Sequence, residues 1–203
     1  MKKLVIISFI LVANCFYGFA QTNNLTDEEL KEFNRRTKEI IDEFQGYLSF
    51  IGSKSNTTED KKKYRAVALK LFIGNGKAYT DFYGNNHSPA MMEVSSKTTG
   101  RTRNITVENY LINLSNLPYS KVEITSSELC KVGDFYQLSD GQYVAVATIK
   151  QRFRGYRDGR VIYEDVVEKH ITVYLTRSEV YSTKGIKYVW ILKLGDTTVD
   201  ETR

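Results

Sequence analysis

The sequence has little proline, cysteine or histidine, with two of each among 203 residues. It has no Gly-X-Y repeat, so a collagen-like chain is excluded, and two cysteines are too few for a disulfide scaffold. Disorder is excluded as well, because 41% of the residues are hydrophobic and 12% are aromatic, enough to build a buried core. The length suits one domain that buries roughly 70% of the surface of its unfolded chain.

The N-terminal residues have the pattern of an export signal. Lys2 and Lys3 are followed by the apolar segment 4–13, which is too short to span a bilayer. Gly18-Phe19-Ala20 then offers small residues at the positions that a signal peptidase reads, which places cleavage before Gln21. The pattern therefore predicts export to the periplasm or the extracellular space.

The predicted division is a signal peptide over residues 1–20 and a single domain over residues 21–203. No later apolar stretch approaches the roughly 20 residues that cross a membrane, so we expect no transmembrane segment in the mature chain. The alternative is a lipoprotein anchored at Cys15, but Asn14 stands where a small residue is needed. The sequence favours secretion without a lipid anchor.

Charge and cysteine content exclude two further classes of function. Loss of Lys2 and Lys3 lowers the formal charge from +5 to +3, too little to indicate a nucleic-acid partner. Cys130 then has no cysteine to pair with, and without a neighbouring histidine it is interpreted as a small buried hydrophobe rather than a nucleophile. The arginines near the later Asp158-Gly159 turn are interpreted as a solvated hairpin tip.

The first half of the mature chain has helical periodicity. Thr26 and Glu29 form a capping box ahead of a first helix that Gly52 ends. A second helix follows Thr57 and ends at Gly74, and Thr106 opens a short third one. Two strand candidates, 79–83 and 91–96, lie between the second and third helices. The apolar face predicted for the first helix comprises Leu30, Phe33, Ile40, Ile41, Phe44, Leu48 and Ile51.

After Pro118 the hydrophobic period changes to two, which is typical of strands. The predicted strands contain Val122 and Ile124, then 143–153, then 161–176 and 186–194, with Asp158-Gly159 as a hairpin turn. We therefore expect an α+β fold in which N-terminal helices pack on a curved antiparallel sheet. Because Val144 and Val146 add apolar surface to the second face of the sheet, we also expect a homodimer through that face.

The order of these elements resembles that of the nuclear transport factor 2-like superfamily, which includes ketosteroid isomerase, scytalone dehydratase and polyketide-cyclase-like proteins. The segments that carry the resemblance are LKLFIGNGKAYTDFYGNN (69–86) and ITVENYLINL (105–114). The resemblance implies a cystatin-like cone, closed by the first helix, with a pocket lined by residues of the strands. It implies dimerisation through the outer face of the sheet as well.

The resemblance also implies candidate catalytic and ligand-binding residues. Asp81 lies where ketosteroid-isomerase-like members carry a general base, and Asp165 or Glu168 lies in the strand region of their second acid. Only one of Asp165 and Glu168 can face inward, because successive strand residues point to opposite faces. The residues expected to line the pocket and contact a ligand are Tyr79, Tyr163, His170 and Trp190.

Two functions follow from these residues. The sequence favours a secreted, non-catalytic domain that binds a small apolar ligand or an envelope protein. The alternative is a small isomerase or lyase that uses pocket carboxylates for acid–base chemistry on an apolar substrate. Two isolated histidines and no cysteine cluster do not predict a metal site, and no sequence motif calls for a cofactor.

Overall fold

A computed structural model describes residues 24–96, 101–126, 129–182 and 185–200 of the chain. The predicted signal peptide, residues 1–20, lies outside the described residues, as does Gln21. In the part of the chain that is described, no helix combines the length and the apolar character that crossing a bilayer requires.

The described residues contain three α-helices and ten strands. The helices are α1 (Asp27–Gly52), α2 (Thr58–Leu69) and α3 (Val107–Ser115). The strands are β1 (Tyr79–Thr80), β2 (Asn86–His87), β3 (Met91–Ser96), β4 (Arg101–Thr106), β5 (Lys121–Ser126), β6 (Lys131–Val132), β7 (Tyr136–Gln137), β8 (Tyr143–Arg157), β9 (Arg160–Ser182) and β10 (Gly185–Val199). The predicted α+β class is confirmed.

The main sheet has eight strands in the order β4-β3-β10-β9-β8-β5, and β6 and β7 also pair with β8. It is mixed rather than wholly antiparallel as predicted, because β3 runs parallel to β10, with Met92 opposite Thr197. A parallel pair is possible here because β3 and β10 are far apart in the chain, with β4 to β9 between them, so no tight turn has to join the two strands. The long strands β8, β9 and β10 are antiparallel, as expected.

The inner face of the sheet, which the helices cover, contains Ile149 of β8 and Ile171 and Val173 of β9. These residues form one buried cluster with Phe44 of α1 and Leu111 of α3. The outer face is less covered: Val144 is buried, but Val146 is 44% exposed. The predicted dimer through this face stays a prediction.

Helix α1 begins and ends as the sequence predicts. The Thr26 amide donates to Glu29 Oε2 at 2.7 Å and the Glu29 amide donates to Thr26 Oγ1 at 3.3 Å, which closes the capping box. At the C-terminal end, a Cβ on Gly52 would lie 3.0 Å from Val122, so the close approach of helix and β5 favours glycine. Leu30 and Ile40 are only half-buried; the other predicted core residues of α1 are buried.

The prediction that the second helix ends at Gly74 is wrong. Helix α2 ends at Leu69, and the chain then becomes extended: the Leu194 amide donates to Leu71 O at 2.9 Å, and Phe72 forms a bridge with Leu194. Phe72 is fully buried in this position. Pairing with the edge of β10 therefore overrides the helical periodicity of residues 70–74.

The strand prediction for 79–83 is also too long. Asp81 accepts hydrogen bonds from the amides of Tyr83 and Asn85, which turns the chain back after Thr80. Strand β3 pairs with β4 along its whole length, and β4 is a strand that was not predicted from the sequence. Most of β4 is exposed, so it has no alternation of buried and exposed residues that would reveal it.

The turn between β8 and β9 is confirmed. Asp158 and Gly159 have φ of 50° and 74°, as a two-residue hairpin with a primed turn requires. Strands β9 and β10 extend further than predicted, to Ser182 and Val199, and beyond the pair Leu175 and Tyr143 they continue as a ribbon paired only with each other. Residues 178–181 of β9 are half-buried or exposed, which is why no hydrophobic pattern marks this part of the strand.

Candidate ligand site on the inner face of the sheet

Strand β9 divides its charged residues between the two faces of the sheet. Asp165 and Lys169 point to the inner face and are buried, whereas Glu168 and His170 point to the outer face. No bulge separates Asp165 from Glu168, so the prediction that only one of these acids faces inward is confirmed.

Asp165 is a buried carboxylate with one free oxygen. Its relative exposure is 9%, and the Tyr163 hydroxyl donates to Oδ2 at 3.2 Å. The other oxygen, Oδ1, is buried and has no hydrogen-bond partner. Because an unsatisfied buried acceptor costs about 1–3 kcal/mol, Asp165 marks a place where a donor from outside the chain would be stabilised.

Lys169 lies on the same face, four residues further along β9. It is only 7% exposed, and its ammonium faces the ring of Tyr110 on α3, with Nζ 5.5 Å from the ring centroid. Burial lowers the pKa of Lys169 to about 8, although the negative charge of Asp165 opposes the shift. Burial likewise raises the pKa of Tyr110 to about 12. The described residues offer Lys169 no carboxylate within 4.0 Å.

Three aromatic side chains lie beside Asp165. The ring of Phe153, which is opposite Asp165 in the sheet, is 5.7 Å from Tyr163 and 5.8 Å from Tyr119. Gly155 makes room for Tyr119, because a Cβ there would lie 2.6 Å from the tyrosine ring. Burial, followed by the nearby charge of Asp165, raises the pKa of Tyr163 to about 12.

We call these residues the inner cluster: Tyr110, Tyr119, Phe153, Tyr163, Asp165 and Lys169. It combines flat apolar surfaces with one buried acceptor, Asp165 Oδ1, and the oppositely charged ammonium of Lys169. This combination suits the recognition of a mostly apolar molecule that carries a hydroxyl or an amide, since either group both donates and accepts hydrogen bonds.

Asp81 lies elsewhere, in the turn between β1 and β2. Its carboxylate accepts from the Tyr83 amide at 2.9 Å, the Asn85 amide at 2.8 Å and Asn85 Nδ2 at 3.0 Å, and it lies 2.8 Å from His87 Nε2. Burial opposes ionisation, but the hydrogen bonds from His87, Asn85 and Tyr83 prevail and lower the pKa of Asp81 to about 2. Both carboxylate oxygens are thus used within the turn.

The ring of Tyr79 stacks on His87, with 4.8 Å between the ring centroids, and so belongs to the same turn. Tyr79 is close enough to Tyr174 of β9 to interact with it electrostatically. Tyr174 and Asp165 are nine residues apart on β9, about 30 Å at the rise of an extended strand. The structure therefore does not bring Tyr79 and Asp81 to the inner cluster.

The remaining predicted residues occupy two further places. Trp190 packs edge-to-face on Tyr143, with 5.3 Å between the ring centroids, at the end of β9 and β10 away from Asp165. Glu168 and His170 lie on the outer face, close to Asp200. Of the seven predicted site residues, only Tyr163 and Asp165 belong to the inner cluster.

Cys130 lines a surface groove of about 770 Å³ between α1 and β5, whose other side chains include Gln45 and Ile124. The thiol is half-buried, and burial raises its pKa to about 11, which favours the protonated form. A second groove, of about 390 Å³, lies between the start of α1 and Phe135. Neither groove contains a predicted site residue.

Sequence reasoning missed Lys169 and Tyr110. Lys169 could have been predicted from the sequence, because it is four residues from Asp165 and both side chains therefore lie on one face of a strand. His170, which the sequence predicts as a pocket residue, is one position further along β9 and therefore points to the opposite face of the sheet. Tyr110 had no such signal, since its approach to Lys169 depends on how α3 packs against the sheet.

The comparisons with known proteins add no family. No family model matches the chain, and neither a curated protein nor a solved structure is detectably similar to it. The resemblance to the nuclear transport factor 2-like superfamily therefore stays a prediction.

Proposed function

We propose that this chain is an exported, non-catalytic binding protein and that the inner cluster holds a small, mostly apolar ligand. The observation that carries the proposal lies on β9: Asp165 Oδ1 is buried without a partner, and the Lys169 ammonium faces the ring of Tyr110 on the same side of the sheet. Buried polar groups in folded proteins are normally satisfied, so a ligand that donates a hydrogen bond to Asp165 explains why this carboxylate is retained.

The charges of the pair indicate the chemistry of the ligand. Asp165 and Lys169 carry opposite charges, so the site as a whole favours an uncharged molecule. One polar group of the ligand donates to Asp165 Oδ1, a second accepts from Lys169 Nζ, and the flat apolar part packs against Phe153 and Tyr163. Such a molecule gains hydrogen bonds in a place of low dielectric constant, where they are stronger than in water.

Acid–base catalysis has less support. The predicted base, Asp81, lies in a turn remote from Asp165, and its pKa of about 2 makes it a weak proton acceptor near neutral pH. A carboxylate that accepts three hydrogen bonds and faces a histidine has a structural role in closing that turn. Binding needs no second acid, so the separation of the two aspartates is no obstacle to it.

The proposal retains three expectations from the sequence: closure of the sheet into a cone, dimerisation through its outer face, and export. The cone supports the proposal because curling the sheet around the inner cluster would enclose a ligand. Export is tested by N-terminal sequencing of the protein from its own host, which should begin at or within a residue or two of Gln21. A chain that begins at Met1, or at a lipid-modified Cys15, would contradict it.

Native mass spectrometry of protein purified from its own host tests the binding function. We expect an additional small-molecule mass on the wild-type protein, and its loss from Lys169→Met, which keeps the length of the side chain but removes the ammonium. Lys121→Met is the matched control, because Lys121 is exposed and its ammonium lies over the ring of Tyr156, which is not part of the inner cluster, so this variant should keep the mass. Circular dichroism verifies that each variant is folded.

A probe of defined chemistry complements that experiment. Benzamide, which has an aromatic ring and an uncharged amide, should shift the NMR signals of Tyr163 and Lys169 in the wild-type protein. Asp165→Leu removes the acceptor and should abolish the shifts. Shifts confined to the grooves beside α1, or no bound mass together with no benzamide shifts, would contradict the proposed site.

A further inference from the structure

The outer face of the sheet brings together a histidine and two carboxylates from separate parts of the chain. They are Glu168 and His170 of β9 and Asp200, which follows β10. One potential ligand atom from each, a histidine nitrogen or a carboxylate oxygen, lies within 4.8 Å of the other two. No other such group of three is found within the described parts of the chain. None of these side chains belongs to the inner cluster.

The orientation of His170 suits metal binding. Its Nδ1 lies 3.1 Å from Thr148 Oγ1, the neighbour directly across on β8, and its Nε2 lies 3.1 Å from Asp200 Oδ1. With the proton on Nδ1, the ring donates to Thr148 and presents the lone pair of Nε2 to the carboxylates. A metal-binding histidine is usually held in this way, by a hydrogen bond from the ring nitrogen that does not bind the metal.

The backbone fixes the third residue. The Asp200 amide donates to Glu168 O at 3.1 Å, and the preceding amide, of Val199, donates to Glu93 Oε2 at 2.9 Å. Asp200 is therefore held beside β9 although its side chain is mostly exposed. Lys150 lies directly across from Glu168 on β8 and supplies a neighbouring positive charge.

We propose that Glu168, His170 and Asp200 bind a zinc ion. One nitrogen and two carboxylate oxygens are a ligand set that zinc accepts, whereas Mg²⁺ and Ca²⁺ prefer oxygen ligands alone. Zinc–ligand bonds of roughly 2.0–2.2 Å at tetrahedral angles place ligand atoms roughly 3.3 Å apart. The His170–Asp200 distance already matches, and rotation of the flexible Glu168 side chain closes the remainder. The fourth position is open to water.

The other histidine provides an internal control. His87 also lies beside an aspartate, with 2.8 Å between its Nε2 and Asp81 Oδ2. That carboxylate already accepts three hydrogen bonds within its turn, and no second carboxylate completes the site. The structure thus predicts zinc at His170 and none at His87.

The test is a zinc titration of the mature chain without a histidine tag, by calorimetry and by competition with a chromophoric chelator. We expect one zinc ion per chain, and no binding of Mg²⁺ or Ca²⁺ at the same concentrations. His170→Gln should lower the zinc affinity at least about 100-fold and Glu168→Gln at least about tenfold, since loss of an outer hydrogen bond alone costs about 10–100-fold. Thr148→Val, which removes only that outer bond, should cost about tenfold.

His87→Gln should leave the zinc affinity unchanged. In NMR spectra, zinc should shift the side-chain nitrogen signals of His170 and leave those of His87 in place. Because Glu168 is on the outer face, we expect Glu168→Gln to fold, so it tests zinc binding even if His170→Gln is unstable. Absence of zinc binding at millimolar concentration, or an affinity that survives both Glu168→Gln and His170→Gln, would overturn the proposal.

Discussion

Charged residues on the two faces of β9 differ in their burial and in their hydrogen-bond partners. On the inner face, Asp165 and Lys169 are buried and do not reach one another, and burial lowers the pKa of the lysine to about 8. On the outer face, one residue away in sequence, His170 has a partner on each ring nitrogen and remains near water. The difference shows that burial on the inner face, rather than the local sequence, decides which charges are left in need of an external partner.

The largest effect tests whether α1 covers the inner face as described. Phe44 is buried and its ring lies 5.0 Å from that of Phe72, so Phe44→Ala should lower the free energy of unfolding by about 3–5 kcal/mol. Val146→Ala, on the exposed outer face, should change it by no more than about 0.5 kcal/mol. Chemical denaturation measures both. Equal losses, or a loss below about 1 kcal/mol for Phe44→Ala, would contradict the assignment of faces.

A second pair of variants tests the aromatic part of the inner cluster. A Cβ at Gly155 would clash with the ring of Tyr119, so Gly155→Ala should lower the free energy of unfolding by about 1–3 kcal/mol. Gly46 of α1 is exposed and has open space where a Cβ would lie. The same substitution there should raise the free energy of unfolding by about 1 kcal/mol, because alanine is the better helix former. Effects of the same sign would show that Tyr119 does not cover Gly155.

The pH dependence of stability separates the buried lysine from an exposed one. The pKa of Lys169 falls from 10.5 to about 8 on folding, so the folded state binds fewer protons in this window and stability rises with pH. Between about pH 7 and 9.5 the free energy of unfolding should increase by about 2 kcal/mol from this residue. Lys169→Met should lack that increase, whereas Lys121→Met should keep it. Tyr110, with a pKa near 12, acts only at higher pH.

The smallest effect concerns the two aspartates. Asp81 has partners on both oxygens and a pKa near 2, below the ordinary 3.8, so it contributes stability above about pH 4 that is lost as the pH falls towards 2. Two-dimensional NMR of the side-chain carbonyls should give a midpoint near 2 for Asp81. A midpoint near 4 would show that the turn does not hold the carboxylate, and would remove the contrast with Asp165, whose Oδ1 has no partner.

The elements that were predicted correctly depend on residues close together in the sequence. The capping box of Thr26 and Glu29 and the Asp158-Gly159 turn are fixed by residues close together in sequence, and both are confirmed. The end of α2 could not be predicted in this way, because it depends on the bridge between Phe72 and Leu194, which are far apart in the chain.

The candidate site was only partly accessible from sequence. Strand parity correctly divided Asp165 from Glu168, and the same rule applied to Lys169 would have found the second member of the buried pair. The contact between Lys169 and Tyr110 could not be inferred, since it requires the packing of α3 on the sheet. The group of Glu168, His170 and Asp200 was not predicted, because Asp200 is brought to His170 only by the register of β10 with β9.

The most direct measurement of the central claim is the titration of Lys169 itself, followed by NMR of its ε-methylene group and assigned with Lys169→Met. A buried lysine that faces Tyr110 should titrate near pH 8, and benzamide bound in the inner cluster should change that midpoint. A midpoint near 10.5, unaffected by benzamide, would mean that the ammonium is solvated, and would contradict the inner cluster as a ligand site.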